Sequence, residues 1–195
     1  RRRSRPAAAQ YGYSTAEIDG EDTPLLPEGM LSEPGRYQAL LRVDGRDYRA
    51  SFTVQADPRV AVDGNALRAA LALSEQTAAA LDRHSVASGE VQSVHKQVET
   101  LNKRLANDSA KAALAKQLAD FNAKLAPLLS AEGEDAPNLS AIGDALNTLE
   151  VDLEGSDRAP SQPQREVLAQ YSTRMDHAMA LWAAIKTTDL PALNA

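Results

Sequence analysis

The segment 34–54 contains both strands of a β-hairpin together with the turn that joins them. A type I′ turn of two residues needs positive φ at both central positions, and Asp44-Gly45 is a residue pair that favours it. With this loop the predicted cross-strand pairs are Val43–Arg46, Leu41–Tyr48, Ala39–Ala50 and Tyr37–Phe52. Three of these four pairs are apolar on both sides, and all four lie on one face. A shift by one residue would turn every side chain to the other face, so the turn and the pattern predict one register.

The apolar face of this hairpin needs a covering layer, because an isolated two-stranded hairpin is at best marginally stable in water. Either further strands precede it or helices dock on it. The upstream sequence offers one candidate for a short strand, residues 9–15, and is otherwise dominated by Pro, Gly and charged residues. We therefore predict an extended, poorly structured arm over residues 1–30 and a β-hairpin, as an incomplete module, over residues 31–58.

From Leu67 the hydrophobic period changes from two to about three and a half. Steps of three and four residues are typical of packed helices. They predict a long first helix over residues 65–106, with Asp63 as its N-cap and a weak point at residues 85–89, where small residues interrupt the pattern. The predicted apolar stripe consists of Leu67, Leu71, Ser74, Ala78, Leu81, Val91, Val94, Val98, Leu101 and Leu105.

Three shorter helices follow. Pro127 is expected to kink or end the second, residues 131–138 and 155–160 are predicted loops, and Ser161 with Gln164 forms a capping box before the fourth. Short loops favour antiparallel neighbours. The predicted fold is therefore α+β and mainly α, a β-hairpin followed by an up-and-down four-helix bundle over residues 61–195. The stripes of the last three helices are Leu114, Leu118, Phe121, Leu125 and Leu128; Ile142, Leu146, Leu149 and Leu153; and Leu168, Tyr171, Met175, Ala178, Trp182 and Ile185.

Composition excludes several classes of function. A net charge of −6 argues against a nucleic-acid surface, and the basic run at residues 1–5 is interpreted as a solvated arm or as the interior of a longer chain. The absence of cysteine excludes disulfides, thiolate metal sites and cysteine nucleophiles. No apolar run approaches the roughly 18 residues of a membrane span. No signal peptide is visible, and the start without Met is consistent with a fragment.

The histidines do not predict a metal site. His84 and His95 are on one predicted helix but about 16 Å apart by helical rise, which is too far for a shared metal ion. His177 is distant in sequence, and no H-E-x-x-H motif occurs.

Two groups of carboxylates are the remaining candidates for chemistry. A facing pair of carboxylates can hydrolyse glycosides, but these residues fall in loops or on polar helix faces, where solvation explains them. No calcium loop, P-loop, dinucleotide fingerprint or nucleophile elbow is present, and Tyr171 and Trp182 are interpreted as core residues. The sequence thus predicts no catalytic, cofactor-binding or metal residues. The two groups are Glu132, Glu134 and Asp135, and Glu150, Asp152, Glu154 and Asp157.

Two sets of motifs carry a family resemblance. The first comprises Pro34-Gly35-Arg36-Tyr37, Leu41-Arg42-Val43-Asp44-Gly45, Phe52-Thr53-Val54 and Asp57-Pro58-Arg59-Val60. The second comprises Trp182 and then Asp189-Leu190-Pro191-Ala192-Leu193-Asn194. From about Thr23 to its end the chain resembles the C-terminal region of bacterial sortilin-like (BNR-repeat) β-propeller proteins, in which such a hairpin and D-P-R-V exit lead into a long helix.

The resemblance implies that the hairpin is the last one of an immunoglobulin-like sandwich in a large exported protein. Such proteins are often labelled glycosyl hydrolases, but their propeller lies upstream, and none of its sites transfers to this chain. The resemblance favours a non-catalytic accessory or interaction module whose partner is the upstream propeller of the same parent chain or another protein. One alternative is a part of a glycoside hydrolase that borders the active cleft with its acidic loops. Another is an independent helical adaptor with the hairpin docked on the bundle. No cofactor, nucleic acid or membrane span is expected, and the oligomeric state stays open.

Overall fold

A computed structural model describes residues 3–6, 29–59, 61, 63–105, 109–155 and 157–193. The prediction of a mainly helical α+β chain, with a hairpin followed by four helices, is confirmed. In chain order the elements are β1 (Arg3–Pro6), β2 (Gly29–Leu31), β3 (Gly35–Val43), β4 (Arg46–Val54), α1 (Gly64–Leu105), a 3₁₀ turn (Ser109–Lys111), α2 (Ala112–Ser130), α3 (Leu139–Glu154), α4 (Gln162–Ala184), a π-helical turn (Ile185–Asp189) and α5 (Leu190–Leu193).

The hairpin forms in the predicted register. β3 and β4 are antiparallel, with Tyr37 opposite Phe52 and Leu41 opposite Tyr48. At the turn, Asp44 has φ 49° and Gly45 has φ 74°, which are the two positive values that a type I′ turn requires. The turn sequence therefore fixes which side chains share a face.

A second antiparallel pair joins β1 and β2, which lie almost entirely in the segment 1–30 predicted to be an extended, poorly structured arm. Arg3 of β1 is opposite Leu31 of β2, and Pro6 is opposite Gly29. This pairing did not follow from the sequence, because Pro and Gly are poor strand formers. It is a separate sheet from β3–β4. The predicted strand at residues 9–15 lies outside the described residues.

α1 is a continuous helix of 42 residues, about 63 Å long at 1.5 Å per residue. Asp63 caps it as predicted, since its Oδ1 accepts the backbone N–H of Asn65 at 2.9 Å. The helix does not break at the predicted weak point, residues 85–89. Ala87 in that stretch is buried in the core, so tertiary packing supports the helical backbone where the local sequence is weak.

The chain returns along α1 in two successive helices. Asn122 of α2 lies beside His95, with Oδ1 2.7 Å from Nδ1, and Leu139 at the start of α3 lies beside His84, with its carbonyl oxygen 2.8 Å from Nε2. Residue numbers therefore rise along α2 and α3 as they fall along α1. Short loops led us to expect α2 and α3 as antiparallel neighbours; instead α3 continues in the direction of α2. Together α2 and α3 are nearly as long as α1. The two helices, one after the other, therefore run back along most of the length of α1.

α4 runs parallel to α1. Asp176 is 2.5 Å from Arg83, and Lys186 is 2.7 Å from Glu90, so residue numbers rise together along the two helices. The short loop 155–161 makes α3 and α4 antiparallel neighbours, as predicted. The chain thus runs up along α1, down along α2 and α3, and up again along α4.

Side chains cap the N-termini of α3 and α4. Asn138 Oδ1 accepts the N–H groups of Ser140 and Ala141, and Ser161 and Gln164 form the predicted capping box. Pro127 lies within α2, and the helix continues for three residues beyond it, to Ser130. Pro127 therefore does not end the helix.

A π-helical turn connects α4 to α5 and was not predicted. Its defining bond runs from the N–H of Leu190 to the carbonyl oxygen of Ile185. In a regular α-helix the ring of Pro191 would clash with the carbonyl four residues earlier, and the wider turn relieves this clash. Thr187 Oγ1 donates to the carbonyl oxygen of Ala183 at 2.9 Å.

The hydrophobic core of the described residues is built by the helices alone. Most predicted stripe positions are buried, but Leu101 and Leu114 are exposed. Both lie near the far end of the α1–α2 pair. The buried core residues are Leu73, Ala80, Leu81, Ala87, Val91, Val98, Leu118, Phe121, Leu125, Leu128, Leu139, Ile142, Leu146, Leu149, Leu153, Leu168, Met175, Ala178, Trp182 and Ile185.

Candidate interaction surface

One face of the hairpin is an exposed apolar surface. We call it the hairpin face, and its members are Tyr37, Ala39, Leu41, Val43, Tyr48, Ala50 and Phe52. Leu41 is 60% exposed, Tyr48 55%, Val43 45% and Phe52 42%. Contiguous exposed apolar side chains of this kind mark interaction sites in folded proteins. The covering layer predicted from the sequence, whether strands or helices, is not formed within the described part of the chain.

Two aromatic side chains of the hairpin face, Tyr37 and Phe52, are held in place near the open end of the hairpin, away from the turn. The rings of Tyr37 and Phe52 are stacked, with centroids 5.8 Å apart and planes 22° apart. The hydroxyl of Tyr37 donates to the carbonyl oxygen of Glu33 at 2.8 Å. These contacts hold the aromatic pair in one arrangement.

The opposite face of the hairpin is polar. Arg42 Nε is 2.7 Å from Asp47 Oδ1, and Arg49 Nη1 donates to Gln38 Oε1 at 2.9 Å. The hydrogen bond to Asp47 raises the pKa of Arg42, so this guanidinium stays charged. Leu40 is the apolar exception on this side. The hairpin is therefore amphipathic, with one side suited to water and the other to a second layer.

The backbone edges of the hairpin are also free. Within the described residues β3 and β4 pair only with each other, so each strand has one edge whose N–H and C=O groups have no ladder partner. Such edges pair readily with another strand. Among the described residues the hairpin thus has one exposed apolar face and two strand edges without a neighbouring strand.

The D-P-R exit is a local turn between β4 and α1. Asp57 Oδ1 accepts the backbone N–H of Arg59 at 2.9 Å, and the guanidinium of Arg59 folds back to 2.6 Å from Asp57 Oδ2. These bonds lower the pKa of the Asp57 carboxyl. The Asp57–Arg59 contacts are therefore local to the turn between β4 and α1.

The three histidines are separate. His84 and His95 each bridge α1 to a neighbouring helix, through Leu139 and Asn122 respectively, and His177 is exposed. No group of three His, Asp or Glu side chains in the described ranges is close enough together to hold a metal ion. Their positions are those of helix contacts and solvated side chains.

The two acidic groups do not face each other. Glu132, Glu134 and Asp135 are exposed in the loop before α3, whereas Glu150 is buried on α3 and Asp152 is exposed near its end. Glu150 lies eleven residues after Leu139, the first residue of α3, so helical rise separates the two groups by about 16 Å or more. Glycosidase carboxylates are about 5–9.5 Å apart, so these groups do not form such a pair with each other.

Trp182 and Tyr171 pack in the helical bundle, as predicted from their stripe. Trp182 is buried, and its Nε1 donates to Glu90 Oε2 at 2.6 Å. Tyr171 is half-buried, with the Arg174 guanidinium 4.7 Å above its ring. Hydrogen bonds from Lys186 and then from Trp182 lower the pKa of Glu90. The cluster joins α4 to α1.

Two polar features of the bundle were missed from the sequence. Arg174 is buried, and its Nε donates to the carbonyl oxygen of Ala136 at 2.9 Å. Lys124 of α2 forms an ion pair with Asp189 in the π-helical turn. Arg174 falls between two stripe positions, and Asp189 reaches Lys124 only because of the turn, so helical periodicity alone gives no signal for either contact.

Comparisons with protein-family models, with curated proteins and with solved structures found no match to this chain. The family resemblance of the hairpin and C-terminal motifs therefore stays a prediction. No helix among the residues that the structure describes is long and apolar enough to cross a membrane.

Proposed function

We propose that this chain is a non-catalytic accessory module that packs, through the hairpin face, against a β-sheet of the larger protein to which it belongs. The exposed hairpin face carries the proposal. The hairpin is amphipathic, and its apolar face is suited to packing against the face of another β-sheet. The motif resemblance supports an exported sortilin-like β-propeller protein as the parent, with the hairpin closing an immunoglobulin-like sandwich.

Covering this face would stabilise the hairpin. Each half-exposed large side chain would contribute about 1 kcal/mol when a partner removes it from water, roughly half of the value for full burial. A hairpin with an uncovered face is marginal by itself. The partner and the hairpin are therefore expected to order each other, and hydrogen exchange of the hairpin amides reports this directly.

The test compares the chain alone with the complete product of its gene by hydrogen–deuterium exchange. We expect amides of β3 and β4 to exchange at least about tenfold more slowly in the complete product, because packing suppresses opening. Leu41→Gln on the hairpin face should remove this protection. Leu40→Gln, a neighbouring exposed leucine on the opposite face, is the matched control and should leave it intact.

Two results would contradict the proposal at different levels. Equal exchange of the hairpin in the chain and in the complete product would show that nothing covers the face. A gene that encodes no propeller upstream would remove the family assignment while leaving the docking surface to be tested.

The helical half is expected to fold without the hairpin, because the hydrophobic core consists of helix residues only. A fragment of residues 61–195 should therefore show the same cooperative loss of circular dichroism in urea as the whole chain. If the fragment is unfolded while the whole chain is stable, the hairpin is instead a structural part of the bundle, as the adaptor alternative requires.

A further inference from the structure

A pocket lies where the hairpin segment meets the start of α1. We call it the joint pocket, and its volume is about 220 Å³. Three parts of the chain form its wall: the link between β2 and β3, the segment after β4, and the first residues of α1. A movement of the hairpin relative to α1 therefore changes this pocket. The lining residues are Glu33, Pro34, Ala56, Gly64, Leu67 and Arg68.

Glu33 brings to the joint pocket a carboxylate with one unsatisfied oxygen. Its Oε1 is buried and accepts no hydrogen bond from the described residues. A charged acceptor that has lost water without gaining a donor costs free energy. The first turn of α1 contains no acidic residue of its own, and a carboxylate near this positive end of the helix dipole is favoured. The dipole thus accounts for the negative charge of Glu33 at this place but supplies no donor to Oε1.

Arg68 is the cation that lines the same pocket. Helix side chains lean toward the N-terminus of their helix, and Arg68 Nη1 accordingly lies 3.7 Å from the place where Gly64 would carry a Cβ. Arg68 Nη2 donates to Oδ1 of Asn65 at 2.5 Å, in a hydrogen bond exposed to solvent. No ion pair joins Arg68 to a carboxylate of the described residues. A guanidinium bonded to a neutral amide and a carboxylate without a donor thus share one pocket.

We propose that Arg68 leaves Asn65 and forms an ion pair with Glu33 across the joint pocket, and that this ion pair fixes the hairpin to α1. The balance of the two contacts supports it. An exposed contact of Arg68 contributes little to stability, whereas a guanidinium at Glu33 supplies charge-assisted hydrogen bonds and gives the buried oxygen its donor. The change needs only rotation of a long, flexible side chain.

The ion pair acts on the hairpin because Glu33 is already bonded to it. The backbone carbonyl oxygen of Glu33 accepts the hydroxyl of Tyr37 at 2.8 Å, and the Tyr37 ring stacks on that of Phe52. Holding the Glu33 side chain on α1 therefore restrains the open end of the hairpin and sets the orientation of the hairpin face relative to the bundle. This device is internal to the chain and does not depend on the partner proposed for that face.

Hydrogen exchange of arginine side chains shows which acceptor holds Arg68. In the complete 195-residue chain with ¹⁵N-labelled arginine, NMR should find the guanidinium N–H groups of Arg68 exchanging at least about tenfold more slowly than those of Arg36, an exposed arginine of β3. Glu33→Gln should abolish this protection, and Asn65→Ala should leave it intact. The matched control for the lost charge is Glu75→Gln, at an exposed position of α1 outside the pocket, which should also leave it intact.

The orientation of the hairpin is measured between two spin labels. The chain has no cysteine, so Ser51→Cys on β4 and Ala79→Cys on α1, both at exposed positions, provide the only labelling sites. Double electron–electron resonance should give one narrow distance distribution.

Glu33→Gln and Arg68→Gln should each broaden this distribution. The double variant should be no broader than either single variant, because both remove the same interaction. Arg36→Gln is the matched control for Arg68→Gln and should leave the distribution narrow. Circular dichroism confirms that each variant is folded, which is expected because neither Glu33 nor Arg68 belongs to the hydrophobic core.

Three outcomes would overturn the proposal. Protection of Arg68 that survives Glu33→Gln but is lost in Asn65→Ala would show that the guanidinium stays on its own helix. Broadening that adds up in the double variant would show that Glu33 and Arg68 act separately. A distance distribution that neither single variant changes would show that the hairpin is held without the ion pair. All three are measured on the chain alone, so they are independent of whether a partner covers the hairpin face.

Discussion

Gly143 of α3 is the position where a single added methyl group should have the clearest effect. A Cβ at this residue would lie 2.5 Å from Cε1 and 2.7 Å from Nε2 of His84, distances well inside van der Waals contact. The same ring donates to the carbonyl oxygen of Leu139, with Nε2 at 2.8 Å; a carbonyl oxygen only accepts, so Nε2 carries the proton. Gly143→Ala therefore displaces His84 from its place between α1 and α3.

The expected loss of stability follows from three contributions. Alanine in a helix interior gains about 1 kcal/mol over glycine. Loss of the hydrogen bond costs about 1 kcal/mol, and forcing a half-buried ring out of a packed contact costs about 1–3 kcal/mol. The net prediction is that Gly143→Ala lowers the free energy of unfolding by about 1–3 kcal/mol.

The measurement is urea unfolding followed by circular dichroism, with Gly89→Ala as the matched control. Gly89 is also inside a helix, but nothing lies within 4 Å of its added Cβ, so this variant should gain up to about 1 kcal/mol. His84→Ala should be less damaging in the Gly143→Ala background than in the native one, because the clash is gone. The reasoning is refuted if Gly143→Ala is as stable as Gly89→Ala.

Three further predictions concern the bundle. Glu90→Gln should cost about 0.5 kcal/mol at neutral pH, because the carboxylate is half-exposed. Hydrogen bonds from Lys186 and Trp182 lower the pKa of Glu90. The contribution of Glu90 to the free energy of unfolding is therefore present above its ordinary pKa of 4.5 and is lost as pH falls through the lower folded-state value. Equal dependence of stability on pH in the two proteins below pH 7 would contradict this. Leu125→Ala, at a fully buried core position, should lower the free energy of unfolding in urea by about 2–5 kcal/mol, and a loss under 1 kcal/mol would show a looser core. Asn138→Ala removes the acceptor of two N–H groups and the donor to a loop carbonyl, so thermal unfolding should show a loss of about 1–2 kcal/mol, and an unchanged midpoint would contradict the capping role.

The hairpin was predictable in detail because its determinants are local. Asp44-Gly45 selects the turn, and the period-2 pattern from Tyr37 to Phe52 selects the register. The capping box at Ser161 was predictable for the same reason. The exposure of the hairpin face was not predictable from the sequence. It depends on whether another layer covers the face, and neither strand sequence determines this.

The errors in the helical half have nonlocal causes. Leu101 and Leu114 follow the stripe pattern but are exposed, because a stripe does not say how far the neighbouring helix extends. Arg174 is buried because a loop carbonyl at Ala136 accepts its N–H, a contact set by the packing of α3 on α4.

The parallel course of α1 and α4 has a consequence for how the chain folds. The bonds from Arg83 to Asp176 and from Lys186 to Glu90 join residues 93 and 96 positions apart. Closing so long a loop costs conformational entropy before any stabilising contact forms. We therefore expect the docking of α4 onto α1 to be the late step. α3 and α4, joined by a short loop, can form a hairpin early. Folding should therefore be slower than that of a bundle whose helices contact only their sequence neighbours, and α1 should gain its full protection only after the C-terminal helix has been made.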